Sequence, residues 1–288
     1  MPKVFLDYTQ EELDRAYDQR AWAPNAQEVI AGYRTESDAT LARLGPPLTF
    51  AYGPSPVETL DVFRSPSAGA RAPIHMFVHG GAWRLLSKRD SYFPANAFAG
   101  RGVHFIAVDF ALIDKVDLAE MVRQVRAAVA WTYRNAEQFG GDPERIFVSG
   151  HSSGGHLTGC VLTTDWRQFG VPETVLKGGM CASGMFDLHP VRLSARSSYV
   201  KLDDAMEQAL SAQRNLDFVH CPITVVYGDM ETPEFQRHGR DFAAALKARG
   251  LPHELVVGEG LNHFELAATF GRQDGVLARA ARRLMRLE

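Results

Sequence analysis

Cysteine is scarce: Cys160, Cys181 and Cys221 are the only three in 288 residues, and no two form a CxxC pair. That excludes a disulfide framework and a zinc ribbon, and it predicts buried apolar thiols in a reducing compartment. No apolar run approaches the 18 residues of a membrane span, and the first residues lack the apolar core of a signal peptide. A soluble cytoplasmic protein with no membrane partner is the expectation. Excess charge is missing too. With 31 Lys and Arg against 34 Asp and Glu, the net charge is −3, which supplies no footprint for nucleic acid. There is no Gly-rich phosphate loop, no repeat and no low-complexity linker. No nucleotide or other cofactor is therefore implied.

The composition, 45% hydrophobic and 23% charged, is that of a globular chain long enough to fold without staples. Residues 1–45 read as a helical extension. Thr9 and Glu12 have capping-box spacing, Leu13, Tyr17 and Trp22 share a stripe, and a second helix runs from Asn25 to Leu44 before Gly45-Pro46-Pro47. Residues 46–288 then alternate short apolar runs with amphipathic helices. Strands are expected at 60–64, 74–78, 103–108, 145–149, 175–181, 223–227 and 253–257, with helices at 118–139, after 152, near 233–249 and 273–287. Near-continuous apolar strands separated by helices predict an α/β fold: one mostly parallel sheet covered on both faces.

Gly150-His151-Ser152-Ser153-Gly154 fits G-x-S-x-G. The string alone is weak, but it falls between a predicted strand and a predicted helix, the setting of a nucleophile elbow. A serine hydroxyl needs a base to take its proton, and the base needs an orienting acid. Two acids, Asp229 and Glu231, follow the strand ending at Tyr227; His263 follows the strand ending at Val257. All three fall at the carboxyl ends of strands, where ligands bind in open α/β sheets. His263 is the expected base, and spacing alone does not separate Asp229 from Glu231. His79-Gly80-Gly81-Ala82-Trp83 follows a third strand. Amides of Gly80 or Gly81, paired with that of Ser153, would form an oxyanion hole.

No metal site is expected. His75 and His79 have HxxxH spacing, but on a strand they would stand about 13 Å apart. His79 reads as a loop organiser, His104 as a core residue, and His156 as packing beneath the elbow.

With these residues in hand, the chain resembles the α/β-hydrolases of the kynurenine formamidase (arylformamidase) type. The likeness runs through Tyr17-Asp18-Gln19-Arg20, the loop at 79–83, and Phe139-Gly140-Gly141-Asp142-Pro143 leading into Gly150-His151-Ser152. It continues through Ser183-Gly184-Met185-Phe186-Asp187-Leu188, Thr232-Pro233-Glu234-Phe235 and Asn262-His263-Phe264. The resemblance implies that Glu231 is the triad acid, with Asp229 the alternative. Ala82, His238 and Leu112-Ile113-Asp114 depart from the family pattern, near the expected pocket rim.

The expected function is a serine hydrolase that removes a formyl or small acyl group from an aryl amine such as N-formyl-L-kynurenine. Its partner would be that small aromatic N-acyl or ester substrate, and a homo-oligomer is compatible with the sequence. Trp83, beside the oxyanion loop, is positioned to stack on the aromatic ring. Tyr17 and Trp22 are lesser candidates for contact. A carboxylesterase or amidase for another aromatic substrate is the nearest alternative. A noncatalytic binding protein of the same fold is the other.

Overall fold

The computed structural model describes residues 2–69 and 71–287. The capping box anticipated at Thr9 and Glu12 opens helix α1 (Gln10–Ala16), and Asn25 stands at the N-cap of α2 (Ala26–Leu44). The remaining elements in chain order are β1 (Leu48–Ala51), β2 (Thr59–Phe63), β3 (Ala72–Val78), β4 (His104–Val108), α3 (Leu118–Asn135), β5 (Gly141–His151) and α4 (Ser153–Leu162). After them come β6 (Leu176–Ala182), α5 (His189–Leu193), α6 (Asp204–Leu210), β7 (Ile223–Gly228), α7 (Pro233–Ala248), β8 (His253–Gly258), α8 (His263–Ala268) and α9 (Val276–Leu284).

Among the described residues the strands form one sheet in the order β1-β2-β4-β3-β5-β6-β7-β8. β1 and β2 join antiparallel; every pairing from β4 to β8 is parallel. This is the α/β-hydrolase arrangement. The short β1, with mostly exposed side chains, carries no apolar alternation and was not anticipated from the sequence. The helix expected over 118–139 stops at Asn135, and a 3-10 turn spans Ala136–Phe139. The chain between β6 and β7, for which no elements were expected, folds into α5, α6 and several 3-10 turns.

Side-chain alternation along the strands builds two cores. Ile74, Met76 and Val78 of β3 pack with α3, α4 and α7, whereas Phe77 packs with Phe93, Phe98, Phe270 and α9. The chain order reverses about β3: β4 lies on one side of it and β5 on the other. Loops leaving adjacent strands at such a reversal part from one another and leave a crevice at the carboxyl edge.

Two histidines in these cores have a measurable consequence. His75, held through Nε2 to the Ser149 hydroxyl at 2.7 Å, is pushed down to about 3 by burial. His156 is pushed down to about 4, again by burial first. In the unfolded chain both take protons near 6.5, so the unfolded state binds more protons once the pH drops below that value. The stability present above pH 6.5 is then lost progressively as the pH falls toward 4 for His156 and 3 for His75. Each is expected to cost about 2 kcal/mol at pH 5. Urea unfolding at pH 7.5 and pH 5 measures it, and a His75→Gln variant whose pH dependence matches that of the parent would refute this account.

Candidate active site

The crevice is floored by the turn after β5. Ser152 has φ 59° and ψ −124°, a backbone region costly for any residue with a side chain. Its N–H donates to Ala182 O and its carbonyl accepts from His156 N–H, so the turn is pinned from β6 and from α4. A Cβ on Gly154 would lie 2.1 Å from Val78 O, so the turn closes only because that position is glycine. The strained serine thus stands at the rim of the sheet with its side chain facing the crevice.

His263, the first residue of α8, brings Nε2 to 2.9 Å from Ser152 Oγ. Its Nδ1 lies 2.8 Å from Glu231 Oε2. Both residues are almost wholly buried, His263 at 3% exposure and Glu231 at 1%. The carboxylate is saturated on its other side: Gly228 N–H and the Ser183 hydroxyl donate to Oε1, while Gln19 Nε2 reaches Oε2 at 3.3 Å. With Nδ1–H directed at Glu231, the lone pair of Nε2 faces the serine, as proton abstraction requires. Asp229, the alternative acid, is exposed and its Oδ1 accepts Gly260 N–H at 2.7 Å, so it takes no part in this line.

The loop after β3 lies directly against the elbow. A Cβ on Gly80 would sit 2.7 Å from His151 O and 3.2 Å from Ser152 Cβ. Gly81, at φ +106°, accepts the amides of Arg84 and Leu85 on its carbonyl and lines the cavity with Gly80. Ser153 begins α4, where helix geometry leaves the amide without an intrahelical acceptor. His79 holds the loop from behind: its ring stacks on Phe110 at 4.2 Å and its Nδ1–H donates to Gly80 O.

One expectation fails. Trp83 does not line the cavity. Ala82 and Trp83 both adopt left-handed backbone (φ 54° and 62°), and this turns the indole inward, leaving it 1% exposed with Nε1–H donating to His156 Nδ1 at 3.3 Å. A large ring with one donor is most stable where its area is buried and its N–H is matched, and the core offers both. The cavity, about 630 Å³, is instead walled by Tyr33, Phe77, Phe93 and Phe264 beside Ser152 and His263. Neither Phe264, next to His263, nor Tyr33 and Phe93, stacked at 5.3 Å from distant elements, was expected on the wall from the sequence.

The N-terminal segment shapes this cavity. Tyr17, Gln19 and Tyr33 line it, whereas Trp22 stays 42% exposed and outside it. Tyr33 O–H donates to Phe264 O, and Asn25 pairs with Asn262 and Glu265, so α2 clamps the base of α8. His238, a departure from the family pattern, lies below the cavity in the core. Phe186 N–H donates to its Nδ1, which puts the proton on Nε2 facing the Tyr17 oxygen at 2.7 Å; the Tyr17 hydroxyl donates onward to Glu234. Burial holds His238 well below the ordinary range and therefore neutral. Asp114 belongs to a separate surface cleft. His151, within the G-x-S-x-G motif, lines the cavity with its ring 4.5 Å from that of His263. Burial, and then the positive charge His263 can carry, drive its pKa well down.

Fold and site together define a hydrolase of the α/β-hydrolase fold. The BD-FAE family model matches residues 60–171, the stretch from β2 through the elbow and α4. Over nearly its whole length the chain is similar to kynurenine formamidases: it is 28% identical over 269 residues to that of Danio rerio, covering 90% of both chains. With the enzyme of Salmo salar it shares 29% over 274 residues, covering 90% of this chain and 91% of the relative. Among solved structures, esterase B from Lactobacillus rhamnosis has the same fold, with a TM-score of 0.71, 16% identity and coverage of 94% and 96%. No helix among the described residues is long and apolar enough to cross a membrane.

Proposed function

We propose that the protein is a serine hydrolase that removes the formyl group from an aryl formamide, with N-formyl-L-kynurenine as the first substrate to test. The reading rests on one observation: a chain similar to formamidases over nine tenths of its length has Ser152, His263 and Glu231 in a hydrogen-bonded line on the wall of an aromatic cavity. As Ser152 Oγ bonds to the formyl carbon, His263 Nε2 takes the hydroxyl proton and the carbonyl oxygen becomes an oxyanion. The amides of Gly80 or Gly81 and of Ser153 receive that charge. Glu231 keeps Nδ1 protonated and stabilises the imidazolium. Collapse of the adduct breaks the C–N bond, and His263 returns the proton to the departing aryl amine nitrogen. Water then attacks the formyl ester while His263 takes its proton. Formate leaves, and the proton goes back to Oγ. No step calls on a metal ion, because an aryl amine is a better leaving group than an alkyl amine. The flat aromatic walls suit a planar leaving group.

The test is kcat/KM for N-formyl-L-kynurenine beside formanilide and p-nitrophenyl acetate. Formylkynurenine turnover above about 10⁴ M⁻¹s⁻¹ is expected, in the range of evolved enzymes. Rapid ester cleavage with negligible activity on both formamides would overturn the formamidase reading in favour of an aryl esterase.

A further inference from the structure

The cavity wall holds a cation that makes no ion pair among the described residues. Arg196, in the turn between α5 and α6, lines the same cavity as Ser152. Its Nη1 donates to the Tyr199 hydroxyl and its Nη2 to the Tyr17 carbonyl, both at 2.9 Å. Nε is covered from solvent and has no hydrogen-bond partner among the described residues. Among the described residues no carboxylate lies within ion-pair distance of it, whereas Arg192 and Arg214, from the same stretch of chain, are both paired to acids. The guanidinium is surrounded by rings instead: Trp83 and Phe235 at 5.8 Å and Tyr17 at 5.9 Å. Ring faces attract a cation but provide no acceptor for an N–H. A covered donor left unmade costs stability, so the protein keeps Arg196 in this state against a folding penalty.

Its position suggests a purpose. Phe235, one of the rings around the cation, packs edge-on against His263 at 4.9 Å, so a single ring separates the cation from the base. Arg84, also on the cavity wall, sits 4.6 Å over the ring of the same Tyr199 that Arg196 holds, and it has no acid partner either among the described residues. Three acids share the wall, but among the described residues none lies within ion-pair distance of Arg196 or Arg84. Asp14 accepts Ala195 N–H, Asp18 accepts Arg20 N–H, and Asp90 holds Ser87 and Arg34.

We infer that Arg196, with Arg84 beside it, binds a carboxylate on the non-reacting arm of the substrate, so that the enzyme selects aryl formamides bearing a carboxylate over those without one. This rests on the hydrolase reading above and adds a charge requirement to it. The remaining Nη hydrogens of Arg196, together with Arg84, supply the donors to one carboxylate. Trp83, which does not line the cavity, would serve by backing the cation.

Matched pairs test it: N-formyl-L-kynurenine against its carboxamide, and 3-(4-acetoxyphenyl)propanoate against its carboxamide. In each pair the acid is expected to have the higher kcat/KM by about ten- to a hundredfold, the worth of a charge-assisted hydrogen bond. The difference should reside in KM, and Arg196→Gln should bring the ratio to near one. A ratio near one in the unaltered protein overturns the assignment whether or not formamides are cleaved, and so does a large ratio that survives Arg196→Gln. If only the esters are cleaved, the formamidase reading falls and the ester pair still decides the role of Arg196. Should Arg196→Gln misfold, competitive inhibition of the unaltered protein by 3-phenylpropanoate against 3-phenylpropanamide gives the same ratio.

Discussion

Ser152→Ala is expected to lower kcat for the best substrate by about 10⁴ to 10⁶ while leaving the melting temperature within a few degrees of the parent. The asymmetry follows from the site. The Ser152 hydroxyl meets His263 Nε2, and the backbone contacts that hold the turn, Ser152 N–H to Ala182 O and His156 N–H to Ser152 O, do not involve the side chain. Alanine has the same Cβ and meets the same backbone cost at φ 59°, so the elbow keeps its shape. Residual turnover from the oxyanion amides and from binding is expected, because removal of a nucleophile leaves the rest of the site intact. Steady-state kinetics and a fluorophosphonate label on the unaltered protein measure both sides. Turnover above a few per cent in the variant, or a label carried on another residue, would reassign the nucleophile. An inactive protein of any other class, including a binding protein on this fold, would not react rapidly with the label in the first place.

Glu231→Gln should cost about 10³ to 10⁴ in kcat, with Asp229→Asn near the parent value. The carboxylate accepts the proton of His263 Nδ1. A carboxamide in its place can present its N–H₂ to Nδ1, which forces the proton to Nε2 and turns the base away from the serine. In that orientation the new N–H₂ also faces the Gln19 donor, while the amide oxygen still accepts from Gly228, so a modest loss of stability accompanies the loss of rate. Asp229, exposed and tied to the Gly260 amide, orders the neighbouring loop and nothing in the line. The reverse result, with Asp229→Asn the damaging change, would mean that the acid is the one two residues earlier.

The Ser and His candidates were legible in the sequence because each is fixed by local rules. G-x-S-x-G closes only where the flanking side chains are absent, as the 2.1 Å approach of a Gly154 Cβ to Val78 O shows, and such a turn belongs between a strand and a helix. The apolar runs of β3 to β7 predicted parallel strands for an equally local reason, burial on both faces, whereas β8 at the sheet edge is only partly buried. The acid was not separable on these grounds, because Asp229 and Glu231 share one loop. Only the turn from Gly228 to Glu231, which hydrogen-bonds the Glu231 carboxylate to the Gly228 amide, points one inward and the other out.

Trp83 was misread for a related reason. Its place beside Gly80 and Gly81 was visible, but the left-handed pair at Ala82 and Trp83 that rotates the ring into the core was not. The cavity walls, the grip of Gln19 on Glu231, and the setting of Arg196 depend on residues brought together over separations as large as 231 positions. Sequence alone therefore determined the chemistry that short-range backbone sterics dictate: an elbow, its serine, and a histidine following a strand. Tertiary structure decided what depends on direction and on distant partners, namely which carboxylate faces the histidine, which aromatics wall the cavity, and where a cation stands without an acid partner among the described residues.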